Sequence, residues 1–322
     1  MLTPRVRRLP AFARAEDEEF ALAVLDGLAR PQKALPCRFF YDARGSELFE
    51  EITRLPEYYP TRTETGILEA HAAQMAEGVP AGGILVEFGS GSSRKTEILL
   101  QQLPHLGAYV CVDVSESALN GARQRLAARF PTLDVRPIVR DFSRAFAFPG
   151  DLAQRPKTGF FPGSTIGNLT PVEAQRLLRV FRTDLSPGGR LIVGVDLKKD
   201  ARQLVLAYND SRGVTAAFNL NLLARINREL GGTFDLEAFE HEAVYNPRDG
   251  RIEMYLQSKC CQGVEVSERR FCFQAGERIH TENSYKYTIG QFQDLARSAG
   301  WQPRRVWADE ANLFSVHELV SP

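Results

Sequence analysis

Residues 85–100, LVEFGSGSSRKTEILL, decide the fold of this chain. The first residues are apolar and end at Glu87 and Phe88, a turn of glycine and serine follows, and the remainder has the spacing of a helix. Glycine has no Cβ and tolerates unusual φ and ψ, so a ligand can approach the backbone of such a turn closely. The stretch therefore predicts a strand, a ligand-binding turn and a helix in succession.

The turn lacks both common phosphate-binding fingerprints. Arg94 stands where the third glycine of G-x-G-x-x-G would allow the helix to pack beside a pyrophosphate, which disfavours NAD. Lys95 and Thr96 follow, but the spacing of G-x-x-x-x-G-K-[ST] is not met, so a P-loop is excluded.

Short apolar segments alternate with helical segments on both sides of this stretch. The predicted strands cover residues 84–88, 108–114, 135–139, 159–162 and 190–195. This alternation predicts an α/β fold in which helices cover both faces of a parallel sheet. Near the C terminus, a capped helix that stops at Gly300 precedes two strand-like runs that could close the sheet.

The rest of the chain predicts a second lobe of α+β type. A helix is predicted over residues 17–30, and an irregular segment rich in aromatic residues, proline and glycine follows it. QLVLAYNDSRGVTAAFNLNLLARINREL predicts a long or broken helix, while RIEMYLQSKCCQGVEV and ERRFCFQAGERIHTE predict paired strands. The predicted sheet domain comprises residues 62–198 plus 287–322, and the predicted lobe comprises residues 1–61 plus 199–286.

Three successive predicted strands end in acids, at Glu87, Asp113 and Asp141. A carboxylate such as that of Asp113 suits the two hydroxyl donors of a ribose. Asp141 is followed by Phe142, a pair that could accept from an exocyclic amine and pack on an adenine ring. Each of these acids, taken alone, is more often a helix N-cap than a ligand-binding residue. The ordered set predicts an adenosine pocket at the carboxyl edge of the sheet, of which Glu87 is the first acid.

Composition limits the possible partners. The 40 basic and 40 acidic residues give a net charge of zero, which argues against nucleic acid or an anionic membrane and favours a small-molecule partner. No apolar run of signal-peptide or membrane-spanning length occurs, and residues 1–14 predict a loose arm. The five cysteines and five histidines lack metal-ligand spacing, so we expect reduced thiols, no metal and a cytoplasmic monomer.

The ordered set E-F-G-S-G, then D, then D-F resembles the class I methyltransferases that bind S-adenosylmethionine. Longer strings narrow the resemblance, namely LPEYYPTRTE, GSTIGNLTP, GVTAAFN, RIEMYL and TENSYKY. They are similar to the histidine Nα-methyltransferase family of ergothioneine biosynthesis, from about residue 35 to the C terminus. The resemblance implies a Rossmann-like class I sheet domain for S-adenosylmethionine and a second α+β lobe for histidine. It also implies three methyl transfers, giving the betaine hercynine.

The resemblance implies a set of cofactor-binding residues. Gly89 and Lys95 would contact S-adenosylmethionine, Asp113 would bind its ribose, and Asp141 with Phe142 would bind its adenine.

The resemblance also implies how the amino-acid end of histidine is held. Asn168 and Tyr208 would bind the α-carboxylate and the α-amino group, with Tyr41 and Gly163 close to the amine. No histidine or lysine base is evident in the sequence, so we expect Tyr41 or a water to pass the amine proton to solvent.

The imidazole of histidine would be recognised by Tyr58, Glu282 and Ser284, with Met254 in the same pocket. A neutral imidazole offers one donor and one acceptor, and a carboxylate with two hydroxyls can satisfy both. Tyr58 and Phe218 are candidates for an aromatic wall that accommodates the growing ammonium.

Each of these residues has a structural alternative. Tyr58 and Tyr208 could be core aromatics, Asn168 could cap a helix, and Glu282 could pair with Lys286 on a helix. Two functional alternatives also remain open. One is a methyltransferase of the same family acting on another amino acid, such as tryptophan or a histidine derivative. The other is a catalytically silent protein that binds an adenosine ligand.

Overall fold

The computed structural model describes residues 15–90, 94–114 and 116–322. The predicted N-terminal arm, residues 1–14, and part of the glycine-rich turn, residues 91–93, lie outside the described residues.

The described residues form nine α-helices and thirteen strands. The helices are α1 (Ala15–Ala29), α2 (Ala43–Ile52), α3 (Tyr59–Ala76), α4 (Arg94–Leu100), α5 (Glu116–Arg129), α6 (Pro171–Leu185), α7 (Ala201–Tyr208), α8 (Val214–Leu230) and α9 (Ile289–Ser298). The strands are β1 (Lys33–Ala34), β2 (Ile84–Phe88), β3 (Ala108–Asp113), β4 (Val135–Val139), β5 (Lys157–Phe161), β6 (Arg190–Asp196), β7 (Phe239–Asn246), β8 (Arg251–Ser258), β9 (Gln262–Val266), β10 (Arg269–Phe273), β11 (Arg278–Tyr285), β12 (Gln302–Ala308) and β13 (Phe314–Val320).

The chain divides into two compact units. Unit 1 comprises Met1–Tyr58 and Asp200–Ser284, and unit 2 comprises Tyr59–Lys199 and Tyr285–Pro322. The predicted division into a sheet domain and a second lobe stays a prediction. The predicted assignment of one unit to the cofactor and the other to histidine stays a prediction.

Unit 2 contains a seven-stranded sheet in the order β12-β13-β6-β5-β2-β3-β4. The five strands from β6 to β4 are parallel, whereas β13 runs antiparallel to β6 and β12 antiparallel to β13. The predicted parallel sheet and its closure by two C-terminal strands are therefore confirmed. The carboxyl ends of β2, β3 and β4 meet at one edge, since Phe88 pairs with Val112 and Asp113 with Val139.

Both faces of this sheet are covered by apolar side chains. Val86 and Val110 belong to one buried cluster, and Leu85 and Tyr109 belong to another. This division follows from the alternation of side chains along a strand. A parallel sheet buried on both faces explains why its strands are recognisable as continuous apolar runs in the sequence.

Unit 1 is built from a four-stranded sheet in the order β1-β11-β8-β7, a separate β9-β10 hairpin, and helices α1, α2, α7 and α8. The predicted long helix is broken between Tyr208 and Val214. Strand β7 was not predicted, because FEHEAVYN carries charged residues on a half-exposed strand. Glu282 lies on β11, so its predicted alternative pairing with Lys286 on a helix is wrong.

Asp184 in α6 gives unit 2 a measurable pH dependence. The residue is 4% exposed, one carboxylate oxygen accepts from the Phe146 N–H at 3.1 Å, and the other has no partner among the described residues. Burial raises the pKa of this carboxyl from 3.8 to about 6. Because the folded pKa lies above the unfolded one, Asp184 favours folding at acid pH, and this contribution is lost as the pH rises through 6.

We expect Asp184→Asn to raise the free energy of unfolding at pH 7 by about 3 kcal/mol, because the amide keeps an acceptor for Phe146 and cannot ionise. The gain should fade between pH 6 and pH 4. Urea denaturation followed by tryptophan fluorescence measures it, since the two tryptophans, Trp301 and Trp307, both lie in unit 2. A gain of equal size at every pH would contradict the raised pKa of Asp184.

Candidate active site

The glycine-rich turn opens at the carboxyl edge of the sheet in unit 2. Gly89 has a φ of +71°, and its N–H donates to the Val112 carbonyl at 2.8 Å. A Cβ at Gly89 would lie 3.3 Å from Cε1 of Phe142. The structure therefore brings together two residues that the sequence assigns to the cofactor.

The predicted ribose and adenine residues lie at the same edge. Asp113 ends β3, and Asp141 follows β4, the neighbouring strand. Asp141 is exposed and accepts from the Ser143 N–H at 2.8 Å, which orients the carboxylate as part of a turn. Phe142 is partly buried, with its ring centroid 5.8 Å from that of Phe161. Asp113, Asp141 and Phe142 fit an adenosine ligand, because two carboxylates and an aromatic ring lie at the same sheet edge as Gly89. Gly89 has no side chain that would fill the space a ligand needs there.

Gly89→Ala tests this arrangement. A side chain at positive φ costs about 1–3 kcal/mol, and the added methyl would also press on the Phe142 ring. We expect the affinity for S-adenosylmethionine to fall about tenfold, measured by titration calorimetry. Gly82→Ala is the matched control, because Gly82 also has a φ of +71° but nothing within 4 Å of its added Cβ. Equal loss of affinity in both variants would contradict the prediction.

The predicted cofactor residue Lys95 and the predicted substrate residue Gly163 share a partner that sequence reasoning missed. Glu64 is 1% exposed, and both of its oxygens lie 2.9 Å from the Gly163 nitrogen. The same carboxylate forms an ion pair with the Lys95 ammonium. Glu64 ends the string LPEYYPTRTE, which was the available signal.

Asn168 ends a short 3₁₀ helix, Thr165–Asn168, in the loop after β5. Its amide has no hydrogen-bond partner within the described parts of the chain. The alternative that Asn168 caps the next helix is wrong, because Thr170 caps α6 and forms a capping box with Glu173. Asn168 lies in unit 2 with Gly163, whereas the other predicted substrate residues lie in unit 1.

The predicted histidine residues of unit 1 lie together. The Tyr208 hydroxyl is 2.7 Å from the Ser284 hydroxyl, and the ring centroids of Tyr58 and Tyr208 are 6.2 Å apart. Strand β11, which carries Glu282 and Ser284, neighbours the strand that carries Met254. Tyr208 is 7% exposed and Ser284 3%, so their hydroxyls satisfy each other away from bulk water.

Tyr41 completes this group. Although 42% of the residue is exposed, burial of its hydroxyl raises the pKa of Tyr41 well above its usual value. The Glu282 carboxylate raises the pKa further, and Tyr58 and Tyr208 contribute in the same direction. Tyr41 therefore remains a neutral phenol at physiological pH and does not act as a standing phenolate base.

Aromatic rings surround the Tyr41 side chain. The ring centroid of Phe218 is 5.8 Å from that of Tyr41, and the ring of Phe49 is 5.6 Å from Tyr41, 6.4 Å from Tyr58 and 6.0 Å from Phe218. Phe49 was missed in the sequence, because an isolated phenylalanine on an amphipathic helix is typical of a core residue.

A second missed residue, His241, holds the end of α7. Its Nε2 lies 2.8 Å from the Tyr208 carbonyl and its Nδ1 2.8 Å from the Asn219 amide nitrogen. Because a carbonyl can only accept, Nε2 carries the proton and Nδ1 accepts from Asn219. Burial lowers the pKa of His241, which keeps the ring neutral. The imidazole thus fixes the backbone from which the Tyr208 side chain extends.

Unit 2 also contains a buried charge cluster that no sequence pattern indicated. Asp196 accepts from the Tyr59 hydroxyl at 2.8 Å, from Lys199 at 2.5 Å and from Lys286 at 2.7 Å. Burial lowers the pKa of Lys199 to about 8 although Asp196 opposes this shift. Burial raises the pKa of Asp196, but the charges of Lys286 and Lys199 outweigh it, so the pKa is lowered overall. Tyr59, Lys199 and Lys286 lie at the ends of the two chain segments that build unit 2.

The described residues show neither a metal site nor a disulfide. They contain no group of three or more histidine, cysteine or acidic side chains arranged to hold a metal ion. Their five cysteines are free, and burial, together with the neighbouring Glu87 charge, raises the pKa of Cys111 to about 12. Glu87 itself is 2% exposed and accepts a hydrogen bond from the Tyr109 hydroxyl. None of the described helices is long and apolar enough to cross a membrane.

The sheet order, the glycine turn and the acids at successive strand ends define an α/β, class I methyltransferase that uses S-adenosylmethionine. More narrowly, the family described as histidine-specific methyltransferase, SAM-dependent, matches residues 20–321, and the chain belongs to this family. The resemblance inferred from the sequence motifs is thereby confirmed.

Curated relatives agree with this family. The chain is 41% identical over 303 residues to the histidine N-alpha-methyltransferase of Mycolicibacterium smegmatis, covering 91% of this chain and 92% of that protein. It is 42% identical to the histidine N-alpha-methyltransferase of Mycobacterium tuberculosis, with the same coverage. It is 31% identical to ergothioneine biosynthesis protein 1 of Neurospora crassa, covering 89% of this chain and 33% of that longer protein.

Proposed function

We propose that this enzyme methylates the α-amine of L-histidine, three times in succession, to give hercynine for ergothioneine biosynthesis. The observation that carries the proposal is the gathering of Tyr41, Tyr58, Tyr208, Glu282 and Ser284 in unit 1. These residues come from separate parts of the sequence and have the chemistry that histidine requires. The identity of 41% to a histidine N-alpha-methyltransferase over 91% of the chain supports the same substrate.

The imidazole is recognised by groups that complement both of its nitrogens. Glu282 accepts from the ring N–H, and the hydroxyls of Tyr58 and Ser284 serve the second nitrogen in either protonation state. Met254, 2% exposed, supplies an apolar wall beside them. An analogue without ring nitrogens would leave Glu282 without its ligand partner, which makes the pocket selective.

The other end of histidine is held without arginine. When Ser284 donates to the Tyr208 hydroxyl, the Tyr208 proton is available for the α-carboxylate. A phenol donor holds a carboxylate without adding a positive charge near a sulfonium.

S-adenosylmethionine supplies an electrophilic methyl group on a sulfonium, and the chain supplies binding and orientation. Gly89, Asp113, Asp141 and Phe142 hold the adenosine part, and exclusion of water together with alignment of the amine provides most of the rate enhancement. The rings around Tyr41 attract a cation through their π faces, which suits an amine that becomes a quaternary ammonium.

The α-amine must lose a proton before each transfer. Because the pKa of Tyr41 is raised, its hydroxyl accepts a proton only as it passes its own proton to a neighbour or to water. Tyr41 is therefore assigned as a relay rather than as a base that stores the proton.

The test is incubation of the purified protein with S-adenosylmethionine and an equimolar mixture of the twenty amino acids, analysed by chromatography and mass spectrometry. We expect histidine alone to gain one, two and three methyl groups. Methylation of tryptophan or another amino acid instead of histidine would contradict the proposed substrate. Binding of S-adenosylmethionine without any turnover would favour the silent binding protein.

The neutral net charge of the chain supports small-molecule partners rather than nucleic acid or a membrane. We also propose that the enzyme is cytoplasmic and monomeric, and size-exclusion chromatography with light scattering would check its oligomeric state.

A further inference from the structure

The family resemblance assigns Lys95 to the cofactor, and its ammonium presents an electrostatic difficulty for a site that binds S-adenosylmethionine. A fixed ammonium close to a sulfonium repels it, and the repulsion is stronger in a protein site than in water because the effective dielectric constant is lower. Some group must cancel the Lys95 charge while leaving the side chain in place.

Glu64 has the position and the burial to do this. Its carboxylate pairs with the Lys95 ammonium, and only 1% of the residue is exposed to solvent. The Lys95 side chain is 19% exposed, so its charge would otherwise be only partly solvated. A carboxylate so buried is tolerated because it is paired and hydrogen-bonded.

The surrounding backbone is shaped to receive the Glu64 carboxylate. A Cβ at Gly194, in strand β6, would lie 2.0 Å from Glu64 Oε1, so any larger residue there would displace the carboxylate. On the other side, Gly163 has a φ of +83° and directs its N–H to both Glu64 oxygens at 2.9 Å. The next residue, Ser164, also has a positive φ, 55°, and its hydroxyl accepts from the Asp196 N–H at 2.9 Å.

We propose that Glu64 is a positioning residue that neutralises Lys95 and fixes the loop at Gly163, so that the site accepts a positively charged cofactor. The inference rests on the proposed function in taking S-adenosylmethionine as the ligand and Lys95 as one of the residues that contact it. Glu64 acts through Lys95 and Gly163 and takes no part in the methyl transfer itself.

Two ligands that differ in one charge separate this role from a merely structural one. S-adenosylmethionine carries a sulfonium, whereas the product S-adenosylhomocysteine carries a neutral thioether. Glu64→Gln keeps the side-chain shape and an acceptor for the Gly163 N–H but leaves the Lys95 charge uncancelled. A purely structural defect would weaken the binding of both ligands alike. An uncancelled charge on Lys95 would weaken the binding of S-adenosylmethionine more than that of S-adenosylhomocysteine.

The experiment measures the dissociation constants of both ligands by titration calorimetry, without histidine. We expect Glu64→Gln to raise the dissociation constant of S-adenosylmethionine about tenfold more than that of S-adenosylhomocysteine. The double variant Glu64→Gln/Lys95→Met should restore the wild-type ratio, although both ligands bind more weakly, because it removes both charges. An unchanged ratio in Glu64→Gln would overturn the inference.

Gly194→Ala provides a second variant in which no charge is removed. Its added methyl displaces the Glu64 carboxylate, and we expect the ratio of the two constants to shift in the same direction. Gly66→Ala is the matched control, since it lies on the same helix as Glu64 with nothing within 4 Å of the added Cβ. A ratio shifted equally in Gly66→Ala would also overturn the inference.

Failure of the proposed function is distinguishable from failure of this inference. Methylation of another amino acid, with the expected shift in Glu64→Gln, would overturn only the histidine assignment. Methylation of histidine with an unshifted ratio would overturn only the role of Glu64. A wild-type protein that binds neither ligand would overturn both.

Discussion

Glu282→Ala is expected to lower kcat/KM for histidine about 10²-fold, because it removes the acceptor for the imidazole N–H in a partly buried pocket. Glu282 lies on β11, two residues before Ser284, so both side chains are presented from the same face of the strand. Steady-state kinetics with a saturating methyl donor measures the loss. The affinity for S-adenosylmethionine should not change, since the predicted cofactor residues lie in unit 2.

Two comparisons make this result specific. Glu240→Ala removes an exposed carboxylate from the same unit and should retain the wild-type kcat/KM. Phenylalanine, which lacks ring nitrogens, should be discriminated against less strongly by Glu282→Ala than by the wild type. If kcat/KM for histidine is the same in the variant and the wild type, Glu282 does not bind the imidazole.

Asp196→Asn is expected to lower the free energy of unfolding by about 3–5 kcal/mol, because it removes the carboxylate charge that both buried ammonium groups contact. The side chains of Lys286 and Lys199 are only 0% and 6% exposed, so solvent cannot compensate for the lost carboxylate. Urea denaturation at pH 7, followed by the fluorescence of the two tryptophans of unit 2, measures the effect.

The pH dependence of this variant has a definite sign. The pKa of Lys199 in the folded protein is lowered to about 8, below that of a lysine in the unfolded chain. The folded protein therefore gains stability as the pH rises above 8, because the unfolded chain still binds the proton that Lys199 has lost. Without Asp196 the same pKa should be lower still, and the stability deficit should narrow between pH 7 and pH 9.

Lys199→Met is the matched comparison for the buried cluster. It leaves one aspartate facing one lysine, so we expect a loss smaller than that of Asp196→Asn. If both variants lose the same stability at pH 7, charge balance is not what holds the cluster together.

Local pattern was sufficient for most of the sheet. Strands β2 and β4 have the predicted bounds, and β3 and β6 differ from them by one residue at one end. Buried parallel strands are continuous apolar runs, so their limits are marked in the sequence. Strand β7 was missed because only two of its eight residues are fully buried and because charged and polar residues interrupt its apolar ones.

The candidate site was predictable where residue type and strand position carry the signal. Acids and glycine at strand ends indicated the cofactor edge, and the family strings indicated Tyr58, Glu282 and Ser284. Phe49 and His241 were not predictable, because they contribute through contacts made only after α2 and β7 have packed.

The sequence by itself determined the α/β class, the family and the residue types proposed to bind the two ligands. These depend on periodicity and on motifs, which are local properties. Only the tertiary structure decided which charged residues pair. Glu64 lies 31 residues from Lys95, and Asp196 lies 90 residues from Lys286. A buried charge requires a partner wherever the fold can supply one, and no local pattern records which distant residue that will be.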